Sequence, residues 1–260
     1  MKRDFSEKEL ARAGSFALCL SGSAWIALAA GHYRLAPVLC PCMGAGSVRP
    51  STSVHMLLAM NPPASLAVGW LLMLAAMMAP ALIAPVWQIR VLSLARRRGR
   101  SIALFTAAYA AVWMVAGCVL LGIELAAELL APSALLVATP AAIVALLWQC
   151  SPVKQTCLNR CHAHGTLSAF GAAADLSAIK FGLAHGFWCV GSCWALMLFP
   201  MLLHQGHEAS MAIVGLFMWG ERLERPRPPG WRIRGAGRAI RMVTAQSRIR
   251  LEDRRNAATA

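Results

Sequence analysis

The sequence predicts an all-α protein, a polytopic transmembrane bundle of about six helices. Hydrophobic residues make up 58% of its 260 positions and charged residues only 14%, whereas a soluble domain carries about 25% charged residues. The charges lie in short clusters between long apolar runs, so the lipid bilayer is the expected partner. The net charge of +14 does not indicate nucleic-acid binding, because no zinc-finger or RNP motif accompanies it.

A membrane helix needs about 20 apolar residues to cross roughly 30 Å of hydrocarbon. The sequence contains six candidates, near residues 14–33, 65–87, 101–123, 132–150, 182–203 and 208–220. The first follows a segment that carries acids as well as bases, so we expect an uncleaved helix rather than a signal peptide. The fourth contains Pro140, which predicts a kink, and the sixth is short enough to need a tilt or a locally thin bilayer.

The distribution of Lys and Arg predicts how these helices are oriented. Basic residues concentrate before the first segment, after the second and fourth, and after the sixth, whereas the alternate loops contain few. Because cytoplasmic loops carry an excess of Lys and Arg, we expect both termini on the cytoplasmic side. The predicted organisation is a transmembrane helical domain at 1–220 followed by a basic cytoplasmic tail at 221–260.

The fifth segment carries four potential ligands, His185, Cys189, Cys193 and Met197, spaced four residues apart. Steps of four residues drift by about 40° on a helix with 3.6 residues per turn, so three steps wind by about 120°. Cys189 and Cys193 can therefore share one ion, with His185 and Met197 as auxiliary ligands at the flanks. Thiolate and thioether groups suit Cu(I), and a Cys and His set also suits zinc. The alternative is that these cysteines are small apolar core residues.

Two further clusters contain potential metal ligands. In the second segment, Met73 and Met77 lie four residues apart and could supply a thioether to the fifth helix, although such stripes are commonly core packing. After the fourth segment, Cys157, Cys161 and His162 form a compact tract. Such tracts are typical of metal binding, but neutral cytosolic thiols explain this one equally well.

The loops predicted to lie outside the membrane also carry potential ligands. Cys40 and Cys42, one residue apart, could receive a soft ion, form a strained disulfide, or be inert. His207 lies near the end of the last outer loop. One hypothesis is a relay in which these three residues pass an ion inward and the tract at 157–162 receives it.

Four stretches of the chain follow a recognisable order. They are a Met-rich helix ending in proline ("GWLLMLAAMMAPALIAPVWQIR"), an aromatic helix ("ALFTAAYAAVWMVAG"), a P-x-K-x-x-C-L-x-x-C segment ("LLWQCSPVKQTCLNRC") and a G-x-x-H-G-x-x-C-x-G-x-C-W-x-x-M helix ("GLAHGFWCVGSCWALM"). Over roughly residues 65–240 this order resembles an uncharacterised bacterial family of predicted metal-binding integral membrane proteins. The resemblance implies metal binding and a multi-pass location in the bacterial inner membrane. The family's pattern reads G-C-C-W, whereas this chain has Ser192 before Cys193, which removes a possible third thiol.

The leading prediction is a membrane protein that binds or handles a soft transition metal, copper ahead of zinc, with a metal donor or acceptor protein as partner. An alternative is a membrane thiol oxidoreductase that uses the cysteine pairs at 40/42 and 189/193. A third possibility is a structural membrane subunit without chemistry of its own. No ATP-binding motif or aspartyl-phosphate signature is present, so we expect any transport to be passive, gradient-coupled or driven by a partner. Whether the protein is an enzyme stays open, with a non-enzymatic function favoured.

Overall fold

A computed structural model describes residues 2–30, 62–130, 134–163, 165–203, 206–233, 235, 237–242 and 244–248. Over these residues the chain is helical and contains no strand, which confirms the predicted all-α class. The helices are α1 (Lys2–Ala29), α2 (Pro63–Met78), α3 (Ile83–Leu92), α4 (Arg98–Leu130), α5 (Ala134–Cys150), α6 (Pro152–Cys161), α7 (Gly171–Met201) and α8 (His207–Arg222). Each predicted apolar segment overlaps one or two of them, and α6 is additional.

Four helical stretches in the described ranges are long and apolar enough to cross a membrane: Leu10–Ala29, Pro63–Leu92, Ala95–Ala127 and Gly171–Met201. The α5 and α8 helices contain only 17 and 16 residues. At 1.5 Å per residue they are about 26 and 24 Å long, less than the roughly 30 Å of a hydrocarbon core. Length and composition therefore support four spans, and crossings by the fourth and sixth predicted segments stay predictions.

The second predicted segment is interrupted by proline. The α2 helix ends at Met78, a 3-10 turn covers Ala79–Leu82, and α3 begins at Ile83. Pro80 has no N–H to donate to the preceding turn, so a regular α-helix is not continued through it. This change of helix type lies next to buried Met78.

The α7 helix begins at Gly171, well before the predicted start near residue 182. Hydropathy missed this first part because it contains charged residues. Asp175 forms ion pairs with Arg97 at 2.8 Å and with Arg100 at 2.7 Å. The start of α7 is thus tied to the start of α4, and its charge is neutralised there.

The most extensive contact between helices joins α4 and α7. Two glycines of α7 make this approach possible. A Cβ atom on Gly182 would lie 2.4 Å from the carbonyl oxygen of Phe105, and one on Gly186 would lie 3.0 Å from Val112. Because small residues let helix backbones approach closely, the aromatic face of α4, which includes fully buried Trp113, packs directly on α7.

A buried polar network joins α5, α6 and α8. The α6 helix begins with Pro152 at its first turn, and the Ser151 hydroxyl caps it by accepting from the Lys154 N–H at 3.2 Å. The Lys154 side chain is 0% exposed; its Nζ lies 2.7 Å from Glu221 Oε2 and also donates to Gln149. Gln149 in turn donates to Glu221.

The α8 helix continues through Arg222, and the division into a domain at 1–220 and a tail at 221–260 stays a prediction. The chain after α8 returns to the rest of the protein. The Arg232 N–H donates to the Cys150 carbonyl at 3.2 Å, and the Asn159 amide donates to the Arg227 carbonyl at 2.7 Å. The first part of the tail therefore covers the ends of α5 and α6.

Candidate metal site

The four residues of the sequence pattern lie on a buried stripe of α7. His185, Cys189, Cys193 and Met197 are each at most 4% exposed. Cys189, Cys193 and Met197 belong to the main hydrophobic core, which also contains Trp113 of α4. Both thiols therefore face the interior of the bundle, where a side chain must find its polar partners within the protein.

The Cys189 sulfur has two polar contacts that the sequence did not indicate. Arg222 Nη2, at the end of α8, donates to Cys189 Sγ at 3.0 Å. The Tyr109 hydroxyl of α4 lies 3.2 Å from the same sulfur. The arginine is held in place by a second bond to the Ser192 hydroxyl at 3.3 Å. A guanidinium and a phenol on one sulfur are the environment that stabilises a thiolate.

Cys193 lies one turn further along α7. Its thiol donates to the Cys189 carbonyl at 2.9 Å, and the two thiols also interact with each other. Cys193 lines a small cavity together with two thioethers, Met78 and Met218, and with Arg222. The cavity thus combines a thiol and two thioethers, which are the soft donors that select Cu(I).

The α6 helix brings its cysteines to the same region of α7. A Cβ atom on Gly191 would lie 2.8 Å from Cys157 Sγ, so the absence of a side chain at Gly191 admits this sulfur. Cys161 packs against the main core and interacts with Arg222. Cys161 of α6 and Cys189 of α7, which the sequence placed in separate clusters, therefore interact with the same arginine.

Burial has a clear effect on the two α6 thiols. It raises the pKa of Cys161 to about 12, and it also raises the pKa of Cys157. Both side chains are therefore neutral thiols at neutral pH in the metal-free protein. A metal ion that recruits either of them must displace a proton.

His162 bridges two helix ends instead of facing the thiols. Its Nδ1 lies 2.8 Å from the Leu158 carbonyl and its Nε2 lies 3.0 Å from the Arg222 carbonyl. Carbonyl oxygens only accept hydrogen bonds, so both contacts form together only when both ring nitrogens carry protons. In this arrangement His162 has no lone pair to offer, and ligation by it requires one of the two contacts to break.

His185 occupies an aromatic pocket. The rings of Phe105, Tyr109 and Phe181 have centroids 6.0 Å from its own. Its Nε2 atom is buried and has no hydrogen-bond partner within the described residues. The side chain remains a predicted auxiliary ligand, one turn before Cys189.

The predicted thioether donors of α2 belong to the same core but have different neighbours. A Cβ atom on Gly215 of α8 would lie 3.7 Å from the Met77 side chain, and the Met77 carbonyl accepts from Trp219. Met73 lines a separate cavity near the start of α2. Met78, the next residue after Met77, is the α2 methionine beside Cys193. The predicted pair Cys40 and Cys42 lies outside the described residues.

In the part of the chain that the structure describes, no three His, Cys, Asp or Glu side chains form a group that could hold a metal. Two cysteines supplemented by thioethers are a sufficient donor set for an ion of low coordination number. Sequence reasoning missed Tyr109, Met78, Met218 and Arg222. The signal for Arg222 was the adjacent acid–base pair Glu221–Arg222 directly after an apolar segment.

The geometry agrees with the comparison with known proteins. The model of a family named PpoB2, described as copper chaperones, matches residues 67–244. This range contains α7 with its cysteines, all of α6 and α8, and most of α2. No curated protein and no solved structure matches the chain. The match covers well over half of the 260 residues, and the chain belongs to the PpoB2 copper chaperone family.

Proposed function

We propose that this protein is a multi-pass membrane copper chaperone that binds Cu(I) between Cys189 and Cys193 and passes it to an acceptor protein. The observation that carries the proposal is Arg222, which donates to the Cys189 sulfur at 3.0 Å and lines one cavity with Cys193 and the thioethers of Met78 and Met218. Membership of the copper chaperone family supports copper as the cargo. The four long apolar helices support insertion in a membrane, and we infer the bacterial inner membrane.

Charge balance favours Cu(I) over Zn(II) at this position. Two thiolates and one Cu(I) carry a net charge of −1, and the Arg222 guanidinium brings the sum to zero. Two thiolates, Zn(II) and the same guanidinium would leave one uncompensated positive charge, which is costly in a buried site. Zinc also prefers four ligands of the Cys, His or carboxylate type, and no such group of three or more is found within the described ranges.

Copper would leave the site by way of α6. Cys161 contacts the same arginine as Cys189, so it can replace one α7 thiolate during transfer. A surface pocket next to it is lined by Asn159, His162 and Arg227. This pocket is the place where a donor or acceptor protein can approach the thiols, on the side that the charge pattern predicts to be cytoplasmic.

The test is an anaerobic Cu(I) titration of the purified protein against a chromophoric Cu(I) chelator. We expect the Cys189→Ser/Cys193→Ser variant to lose the tightly bound ion. The matched control is Cys118→Ser, which removes an exposed thiol of α4 and should leave the affinity unchanged. Equal copper content in the double variant and the wild type would reject the assignment.

The same samples separate this proposal from a thiol oxidoreductase. Thiols are counted before and after reduction in protein that holds no copper. A chaperone site is expected to present two free thiols at Cys189 and Cys193, as the structure does. A reversible disulfide between them in a protein that never binds Cu(I) would favour the redox function instead.

A further inference from the structure

A second cavity lies at the other end of α8 from Arg222, where α2 begins, α4 ends and α7 turns into α8. Its walls include the thioethers of Met73 and Met201, the carboxyl group of Glu124 and the imidazole of His207, beside the Trp70 ring. Met73, Met201 and Glu124 are at most 8% exposed. Four helices thus contribute one potential ligand each to a single buried space.

The backbone between α7 and α8 sets the orientation of His207. Gly206 has a φ of +73°, a left-handed conformation that L side chains rarely adopt, and it lets the chain reverse direction. This reversal returns His207 to the end of α7, where its Nδ1 lies 2.8 Å from the Pro200 carbonyl. Because a carbonyl only accepts, Nδ1 is the donor of this bond, and Nε2 is the ring nitrogen that can offer a lone pair to a ligand.

The free nitrogen of His207 is the most informative feature of the cavity. Nε2 is buried and has no hydrogen-bond partner among the described residues. Histidines that bind metals characteristically donate their other N–H to a backbone carbonyl, which fixes the tautomer and the ring. The His207–Pro200 bond has this form. An unpartnered acceptor in a buried cavity is otherwise unfavourable.

The remaining donors define which cation the cavity suits. Two thioethers and an imidazole are soft to intermediate donors that favour Cu(I) and disfavour Mg(II) and Ca(II). Glu124 balances the single charge of Cu(I) and would not balance a divalent ion. Neutral thioethers bind more weakly than thiolates, so an ion here can exchange readily.

The cavity is connected to the cysteine pair by the α7 stripe. The four-residue spacing of Cys189, Cys193 and Met197 continues to Met201. Cys193 and Met201 are eight positions apart, about 12 Å at 1.5 Å per residue, and Met197 lies midway. Met197 is 2% exposed and belongs to the same core cluster as both neighbours. Sulfur atoms therefore recur at each turn between the two cavities.

We propose that Met73, Met201, His207 and Glu124 form a second, weaker Cu(I) site that gives the ion access to Cys193 by way of Met197. The access role rests on the proposed function, whereas binding at the second site does not. The charge pattern predicts this end of the bundle to face away from the cytoplasm. Copper would then be received at one end of α8 and released at the other.

Anaerobic Cu(I) titration in the Cys189→Ser/Cys193→Ser background isolates the second site. We expect this variant to retain one weakly bound Cu(I) per chain. Adding His207→Gln should weaken that binding about tenfold or more, since loss of even an outer-shell partner costs roughly 10- to 100-fold. The matched control is Met211→Leu, a buried methionine of α8 one turn after His207 that does not line the cavity.

X-ray absorption at the copper edge supplies a readout independent of affinity. The loaded double-serine variant should show sulfur scattering together with the multiple scattering of a coordinated imidazole ring, and the imidazole signal should disappear with His207→Gln. No Cu(I) binding in the double-serine variant would overturn this inference while leaving the cysteine site intact. Equal affinities for His207→Gln and Met211→Leu would also overturn it. Wild-type copper binding in the double-serine variant, lost with His207→Gln, would support this site and reject the cysteine centre.

Discussion

Glu221→Gln should destabilise the protein strongly, because it removes the charge that neutralises Lys154. The Lys154 side chain is 0% exposed, that of Glu221 is 4% exposed, and their atoms are 2.7 Å apart. Breaking a buried ion pair by removing one partner typically costs about 3–5 kcal/mol. Gln149 contacts both groups and remains in place, so we expect the lower part of that range, about 3 kcal/mol. The midpoint of thermal unfolding in detergent, followed by tryptophan fluorescence, measures the change.

Glu224→Gln is the control for this experiment. Glu224 is one turn away and pairs with Arg227, which is 62% exposed, at 3.2 Å. Because Arg227 is exposed to solvent, this ion pair contributes less than about 1 kcal/mol. The amide of Gln can still accept from the Arg238 N–H, as Glu224 does, so the substitution should barely move the midpoint. Equal shifts for Glu221→Gln and Glu224→Gln would refute the argument that burial makes the Lys154 pair structurally important.

Two further predictions concern the chemistry of the thiols. Arg222→Gln should weaken Cu(I) binding by about 1.5–3 kcal/mol, the contribution of a hydrogen bond to a charged group. The control is Arg225→Gln, at an exposed position. An unchanged Cu(I) affinity in Arg222→Gln would exclude a charge-balancing role for this arginine. Because burial raises the pKa of Cys161 to about 12, its thiolate fraction at neutral pH should be roughly a thousandfold below that of an ordinary cysteine. Alkylation of Cys161 by iodoacetamide, read by mass spectrometry, should therefore be slow in the metal-free folded protein and should accelerate as the pH rises toward that pKa. Alkylation of the folded protein at neutral pH as fast as that of the unfolded chain would contradict this prediction.

Hydropathy and helical spacing anticipated the parts of the fold that depend on local sequence. The all-α class follows from long apolar runs, and the buried stripe of α7 follows from residues spaced one turn apart. The start of α7 was predicted too late because hydropathy counts Asp175 as a helix-ending charge. It does not register that Arg97 and Arg100 neutralise that carboxylate across the helix interface.

The candidate site could be predicted only in part, because several of its residues lie far from the α7 cysteines in the sequence. Cys189 and Cys193 share a helix, so their spacing was sufficient to associate them. Arg222 lies 33 positions from Cys189 and Tyr109 lies 80, and a single sequence contains no measure of such proximity. Cys161 was recognised as a thiol, but its position beside Arg222 depends on how α6 packs.

The short length of α5 has a consequence for the surrounding lipid. Its outer face, with Ile143, Leu146 and Leu147 exposed, is about 26 Å long at 1.5 Å per residue. If α5 crosses the bilayer as the sequence predicts, the acyl chains beside it must compress to match a helix shorter than a hydrocarbon core of roughly 30 Å, a hydrophobic mismatch that bilayers meet by local thinning. The thinned region of the bilayer would lie at the end of α5, next to the buried polar network of Lys154. For the copper transfer proposed above, bilayer thickness then becomes a variable: thicker membranes should slow release to a water-soluble acceptor, and thinner ones should speed it.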